Sequence, residues 1–577
     1  MKNSYSIVIF LILFLIFFQN STFANINRYW VFFSDKGNVE LLSSSKQQEI
    51  LQNQISSRAF ERRQLRAKLQ SFSKTSLIQD LPVYSEYVET LRQMGFTIHQ
   101  KSRWFNGVSG YASKDVLDQI SKLSFVKAVD AVKRFVEKDK IEQGFEEPLL
   151  PRQQFQKYDL NYGASFTQAD FHKIPDVHQQ GLTGEGVLIG VFDTGFNLNH
   201  PALQHINQQL IDQWDFINND NVTQNQPGDP AAQDWHGSWV LSAMAGMKSG
   251  QLIGPAFNAS FCLAKTEAVE FERNVEEDNW AAAAEWADSI GVDIVSTSLG
   301  YSVFDEGQSS YTYSDMDGET TIITQAANFL ADRGVVVVSS AGNEGDDEWF
   351  YITAPADGKH VLAVGAVNSS NQVAGFSSHG PTADGRIKPD VMGIGESVRV
   401  VSYPDTHEYN GYKTENGTSM SCPIIAGICA LVLEKFPELS VNAILEVIRQ
   451  SGDNSGNPNN NRGWGRADAV KALQFAEGGY EEVNYFSVLN NINNPISSDN
   501  PTIFRIALPG QSQVTISIYN ILGQRVRKFQ FFSGGGVVNP VLWDGANENG
   551  IPLSSGIYPF RVQTKFGKID SKVMIIR

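Results

Sequence analysis

Four apolar runs constrain this chain more than any other feature. Gly186 to Phe192, Val292 to Val295, Val335 to Val338 and Val361 to Val367 are almost unbroken stretches of aliphatic and β-branched residues. Strands with no polar alternation are buried on both faces, which implies a parallel sheet covered by helices. Helical runs lie between them, Trp280 to Ser289 with four consecutive alanines and Thr321 to Asp332. The alternation predicts a doubly wound α/β domain with a mostly parallel sheet. In such domains functional sites form beyond the carboxyl ends of the strands.

This pattern occupies only part of 577 residues, too many for one hydrophobic core. Lys2 followed by the apolar run Ile7 to Phe18 and then Thr22-Phe23-Ala24 has the order of a secretory signal peptide over residues 1–24. That run is too short to span a bilayer, which needs about 20 apolar residues, and no later segment reads as a membrane span. Residues 25–155 read as a separate α+β unit carrying a basic cluster, Arg58, Arg62, Arg63, Arg66 and Lys68. A strand is expected over Ser124 to Val129, and a ragged linker from Glu146 to Gln154. The α/β domain is assigned to residues 156–478. Residues 484–577 change to short alternating strands such as Val514 to Tyr519 and turns such as Asn547 to Gly550, which predicts a β-sandwich.

Charge and cysteine content exclude other classes. A net charge of −17 argues against a nucleic-acid binder, whose affinity comes mainly from basic side chains. Three cysteines allow neither a disulfide scaffold nor a four-cysteine zinc site.

The candidate chemistry sits at strand and helix ends. Asp193-Thr194-Gly195 closes the first buried run, where a carboxylate faces the functional edge of the sheet. The same tripeptide occurs in aspartic proteases, but that mechanism needs two carboxylates sharing a proton, and no second Asp-Thr-Gly or Asp-Ser-Gly is present. His236, in Asp234-Trp235-His236-Gly237-Ser238, opens an apolar helix, and no His-Glu-x-x-His zinc motif exists. His200, beside Pro201 in a polar loop, is the competing base and reads as structural. Ser419, in Gly417-Thr418-Ser419-Met420, heads another apolar helix, with Pro423 suited to its first turn. A serine there gains free N–H groups and the positive end of the dipole. Asn343, in Ala341-Gly342-Asn343-Glu344, can donate its amide to an oxyanion. Each has a bland alternative: a turn aspartate, a satisfied histidine, an N-cap serine, a loop asparagine.

The order aspartate, histidine, serine along the chain is that of subtilisin. With the signatures Asp193-Thr194-Gly195, His236-Gly237-Ser238 and Gly417-Thr418-Ser419-Met420, residues from about 162 to 476 resemble the subtilisin-like serine peptidase family. The departures are Ser238 where threonine is common and Cys422 where a small residue is usual. The resemblance implies a secreted serine endopeptidase with catalytic Asp193, His236 and Ser419, and Asn343 in the oxyanion hole. Ser298, Leu299 and Gly300 would line extended protein or peptide substrate. It implies no required cofactor and no metal among the site residues. Some relatives bind calcium, for which Asn218 to Asn221 and Asp315 to Gly318 could offer oxygens. Residues 25–155 occupy the place of a propeptide, with Trp104 to Ser109 as its motif. Residues 484–577 resemble the sorting domain of Bacteroidetes-type type IX secretion, through Tyr519 to Gln524, Trp543-Asp544-Gly545, Ser554 to Tyr558 and Lys572 to Arg577. That implies export through the periplasm to the surface or medium, with the type IX machinery as partner. The rival reading is a non-catalytic adhesin or binding protein on the same fold.

Overall fold

The computed structural model describes residues 28–66, 78–131, 158–269, 275–301, 311–403, 411–477, 487–488, 494–496, 501–508, 512–533 and 536–577. The proposed signal peptide and the Glu146 to Gln154 linker lie outside the described residues.

Seven parallel strands form the central sheet, in the spatial order Val391–Ile394, Val361–Val367, Val336–Ser340, Ile294–Thr297, Leu188–Asp193, Ser260–Lys265, Leu210–Asp215. The chain starts inside the sheet at Leu188–Asp193, adds two strands on one side, then crosses and adds four on the other. The strand order therefore reverses between Leu188–Asp193 and Ile294–Thr297, and a crevice opens at such a switch point. Every residue of Leu188–Asp193, Ile294–Thr297, Val336–Ser340 and Val361–Val367 is buried, as solid apolar runs require. Three strands begin one or two residues later than the apolar runs and extend into polar residues at their carboxyl ends. Gly186 and Gly291, at φ +81° and +104°, turn the chain before two of them.

The helix Thr418–Lys435 runs under the sheet, packing on Ile294–Thr297, Val336–Ser340, Val361–Val367 and Val391–Ile394 and on the helix Trp235–Ala245. It is as long and apolar as a membrane-crossing helix, but 83% of it is buried inside the domain, as a core helix is. It also starts earlier than its proline suggests, so Pro423 lies in the second turn. Lacking an N–H, Pro423 cannot bond the Ser419 carbonyl, and the Ser298 hydroxyl donates to that oxygen instead at 2.9 Å.

The N-terminal unit is a four-stranded antiparallel sheet, in the order Thr97–Ser102, Gly107–Tyr111, Tyr29–Phe33, Val126–Ala131. The helices Ser85–Gln93 and Lys114–Ile120 contribute Val88, Leu91, Leu117 and Ile120 to its core. The C-terminal unit is the expected sandwich. A three-stranded sheet (Ser487–Val488, Thr502–Leu508, Gly536–Trp543) faces a four-stranded one (Arg525–Ser533, Ser512–Tyr519, Gly556–Thr564, Gly567–Ile575). Phe504, Ile516, Phe560 and Val562 belong to the core between them. Val514, Ile516 and Ile518 are buried while Thr515, Ser517 and Tyr519 are not, the period of two read from the sequence.

Candidate active site

Strand register brings the candidate residues together. Phe192 pairs with Thr297, so the next residues, Asp193 and Ser298, emerge side by side at the carboxyl edge. Asp193 is fully buried, and its Oδ1 accepts from the Thr194 N–H (2.8 Å), the Thr194 hydroxyl (3.2 Å) and His236 Nδ1 (2.7 Å). Its Oδ2 has no hydrogen-bond partner among the described residues. A carboxylate on Nδ1 leaves Nε2 as the basic nitrogen of the neutral ring and stabilises the imidazolium. Glycine makes this approach possible. A Cβ at Gly237 would lie 2.2 Å from the Gly195 carbonyl and 3.1 Å from Asp193 Cβ.

Ser419 occupies the second position of the helix Thr418–Lys435, which Gly417 enters at φ +138°. Its hydroxyl donates to the Ser298 carbonyl at 3.1 Å, the reciprocal of the Ser298 bond described above. Asn343 follows the strand Val336–Ser340 and is exposed. Its Oδ1 accepts from both the N–H (2.9 Å) and the hydroxyl (2.8 Å) of Thr418. With the oxygen so held, the amide NH₂ is the end left to donate. Thr418 and Thr194 thus orient the two polar groups beside the site. The sequence reading missed both roles, although each threonine stands inside a quoted motif.

Neighbouring groups read as structural. His200 accepts the Ala202 N–H on Nδ1 (3.1 Å) and donates Nε2–H to the Gly411 carbonyl (2.8 Å), and burial lowers its pKa. Cys422 is fully buried, and burial pushes its thiol up to about 12. In the two loops considered for calcium, the carboxylates serve their own turns. Asp317 accepts the N–H groups of Glu319 and Thr320 at 2.8 Å, and Asp220 accepts that of Val222 at 2.8 Å. No group of three or more His, Cys, Asp or Glu placed to hold a metal occurs among the described residues.

A second polar assembly joins the N-terminal unit to the helix Val275–Ile290 and the residues that follow it. Arg62 and Arg63 both pair with Asp288, Arg63 also reaches Asp80 at 2.8 Å, and Arg66 reaches Asp293 at 3.0 Å. Arg333 holds Asp80 from the other side at 2.9 Å. Burial alone would raise the Asp288 carboxyl, but Arg63, Arg62 and Arg103 outweigh it and hold it far below the usual range. Glu285 accepts the N–H groups of Arg103 (3.1 Å) and Trp104 (3.2 Å) and the Ser102 hydroxyl. The Trp30 indole donates to Asp278, whose carboxyl burial pushes up to about 7. Three members of the basic cluster are therefore withdrawn from solvent. Arg62, Arg63 and Arg66 are buried against acidic residues more than 220 positions away.

This geometry can be set beside known proteins. The sequence profile of the subtilase family matches residues 184–465. These residues belong to the subtilase family. The profile of the peptidase S8 propeptide domain of Bacteroidota matches residues 28–146, and that of the FlgD Ig-like domain matches residues 490–568. Serine protease AprX of Bacillus subtilis is 30% identical over 318 residues, which cover 50% of this chain and 66% of AprX. M-protease of Shouchella clausii is 29% identical over 301 residues, 52% of this chain and 66% of that protein. Subtilisin Savinase of Lederbergia lenta is 29% identical over 301 residues, covering 93% of its length. Among solved structures, fervidolysin from Fervidobacterium pennivorans, a keratinolytic enzyme related to subtilisin, superposes with a TM-score of 0.53. That match covers 93% of this chain and 70% of fervidolysin at 18% identity, a likeness of fold alone. The subtilase match is preceded along the chain by the match to a Bacteroidota-type propeptide domain.

Proposed function

We propose that the protein is a secreted serine endopeptidase made as a precursor, with Asp193, His236 and Ser419 as its catalytic residues. The observation that carries this reading is the buried Asp193 carboxylate bonded to His236 Nδ1 at 2.7 Å. It is combined with a serine in the first turn of the helix Thr418–Lys435. The Ser419 hydroxyl swings from the Ser298 carbonyl to His236 Nε2, gives up its proton and attacks the peptide carbonyl. His236 then protonates the leaving amine, and the acyl-enzyme is hydrolysed by water activated in the same way. The Asn343 amide and the Ser419 N–H stabilise the oxyanion, where one such donor contributes about 10²–10³-fold in turnover. Ser298, Leu299 and Gly300 pair with the extended backbone of a protein or peptide substrate. All the reacting groups are side chains and backbone N–H groups, so the chemistry requires no cofactor, and calcium would act outside it. A full set of reacting groups argues against the non-catalytic adhesin.

Residues 25–155 act as the propeptide, supported by the profile match over 28–146. Residues 1–24 direct export, and residues 484–577 direct sorting by the type IX machinery to the surface or medium. The support for sorting is the Tyr519 to Gln524 and Lys572 to Arg577 motifs. The test is hydrolysis of a denatured protein substrate by propeptide-free protein. Wild type should cleave it and Ser419→Ala should not. Equal cleavage by both would sink the assignment.

A further inference from the structure

Charge is unevenly placed along the chain. Residues 484–577 hold nine lysines and arginines against four aspartates and glutamates, a net +5, so the other 483 residues carry −22. No single strand shows where these cations go, because strand register assembles them. In Ser512–Tyr519 the core takes Val514, Ile516 and Ile518, which leaves Thr515, Ser517 and Tyr519 on the outer face of the four-stranded sheet. Ser517 lies opposite Lys528 on one side and Arg561 on the other, and Tyr519 lies opposite Arg525. Two residues either way from Arg561, Pro559 pairs with Lys572 and Gln563 pairs with Lys568. Five cations therefore share this face with a single carboxylate among the described residues, Asp570, which Arg561 holds at 2.7 and 2.9 Å.

The same face is apolar at one end. Ile557 and Met574 form an exposed cross-strand pair there. Ile518 pairs with Phe560, so the chain beyond Tyr519 turns at the Ile557 end of the sheet. That hairpin ends in Ile521 and Leu522, which are 86% and 77% exposed. The turn is firmly built, with Asn520 Oδ1 accepting the N–H groups of Leu522 and Gln524 at 3.0 Å and Gly523 at φ +74°. Such turns are ordinarily polar. Two adjacent aliphatic side chains held out in water contribute nothing to the core.

We propose that this face docks on the surface of an anionic lipid bilayer. Headgroup phosphates lie against Arg525, Lys528, Arg561, Lys568 and Lys572, and Ile521, Leu522, Ile557 and Met574 enter the acyl boundary. Charge complementarity selects the partner, because an anionic surface attracts this face and repels the remaining −22 of the chain. The apolar end selects a bilayer over a soluble polyanion, which would pair with the cations and leave the four aliphatic side chains in water. Docking depends on neither catalysis nor sorting and so goes beyond the function proposed above.

The experiment is co-sedimentation of the Ser419→Ala precursor with lipid vesicles. The protein starts at residue 25, so that the apolar run Ile7 to Phe18 does not bind lipid itself. Vesicles of equal parts phosphatidylglycerol and phosphatidylcholine should bind it at about 0.1 M salt at least about tenfold more tightly than pure phosphatidylcholine. Arg525→Gln, Lys528→Gln and Lys572→Gln should each weaken that binding about fivefold. Ile521→Ser combined with Leu522→Ser should weaken it at least about tenfold. None of these five side chains is buried, and an unchanged Tm would show that each variant is folded. No binding to the anionic vesicles, or equal binding to neutral ones, would overturn the proposal. So would vesicle binding that heparin competes away and that the double serine variant leaves unchanged, which would assign the face to soluble polyanions.

Discussion

At the scale of single residues, the site divides into groups that react and groups that hold them. Asn343→Ala is expected to lower kcat by about 10²–10³-fold with little change in KM, because its donor acts on charge that develops after binding. Thr418→Val removes one of the two bonds that orient the Asn343 amide, at 2.8 Å, but leaves the backbone one at 2.9 Å. Its loss in kcat should be clearly smaller, and a loss equal to that of Asn343→Ala would contradict the orienting role. Cys422 lies three residues from Ser419, yet its burial and raised pKa make it inert. Folded enzyme should keep its activity through treatment with a thiol reagent, and stoichiometric inactivation would show otherwise. The residues proposed to react could be singled out in the sequence because each sits in a short motif whose chemistry is local. Thr418 and Thr194 could not, because their roles depend on which groups pass beside them, and a threonine at a strand or helix end has many uses.

At the scale of elements, the alternation of apolar runs and helices gave the sheet, because strands buried on both faces leave no polar period. The strand ends shifted where polar residues were drawn in by the site, as with Asp193 and Ser339-Ser340. What the chain alone hid was the destination of the helix Ser57–Arg66. Four arginines in ten residues do not name their partners, and Asp288 and Asp293 make the burial of Arg62, Arg63 and Arg66 tolerable. Asp288→Ala would leave Arg62 and Arg63 buried without their shared carboxylate, and the precursor should lose about 3–5 kcal/mol in denaturant unfolding. The same interface makes docking pH-dependent. Asp278 has a pKa of about 7 when docked, against an ordinary 3.8. Between those values the docked form holds a proton that the free form has released. Asp278 therefore favours docking most below pH 4 and progressively loses that contribution as pH rises through 7. In a Ser419→Ala precursor, Asp278→Asn should reduce the fall in Tm between pH 5 and pH 8. An unchanged fall would contradict the assignment.

At the scale of the whole molecule, three units of different chemistry follow one another along the chain: an arginine-anchored N-terminal domain, the subtilase domain and a β-sandwich. The sandwich was legible from its period of two and its turns, because its sheets bury one face each. Its role was not, because a sandwich of this size serves many proteins and nothing local in its strands dictates a partner. Deleting residues 484–577 is expected to stop delivery to the cell surface while purified protein stays active. Undiminished surface protein would exclude the sorting role, and inactive but well-folded protein would assign the sandwich to the catalytic unit.

The central claim is that Ser419 is a nucleophile activated by His236 and Asp193. Its most direct test is mass spectrometry of propeptide-free protein after treatment with a fluorophosphonate. One adduct on Ser419 that is lost in His236→Ala is the predicted result, and folded wild-type protein with an unmodified Ser419 would contradict it.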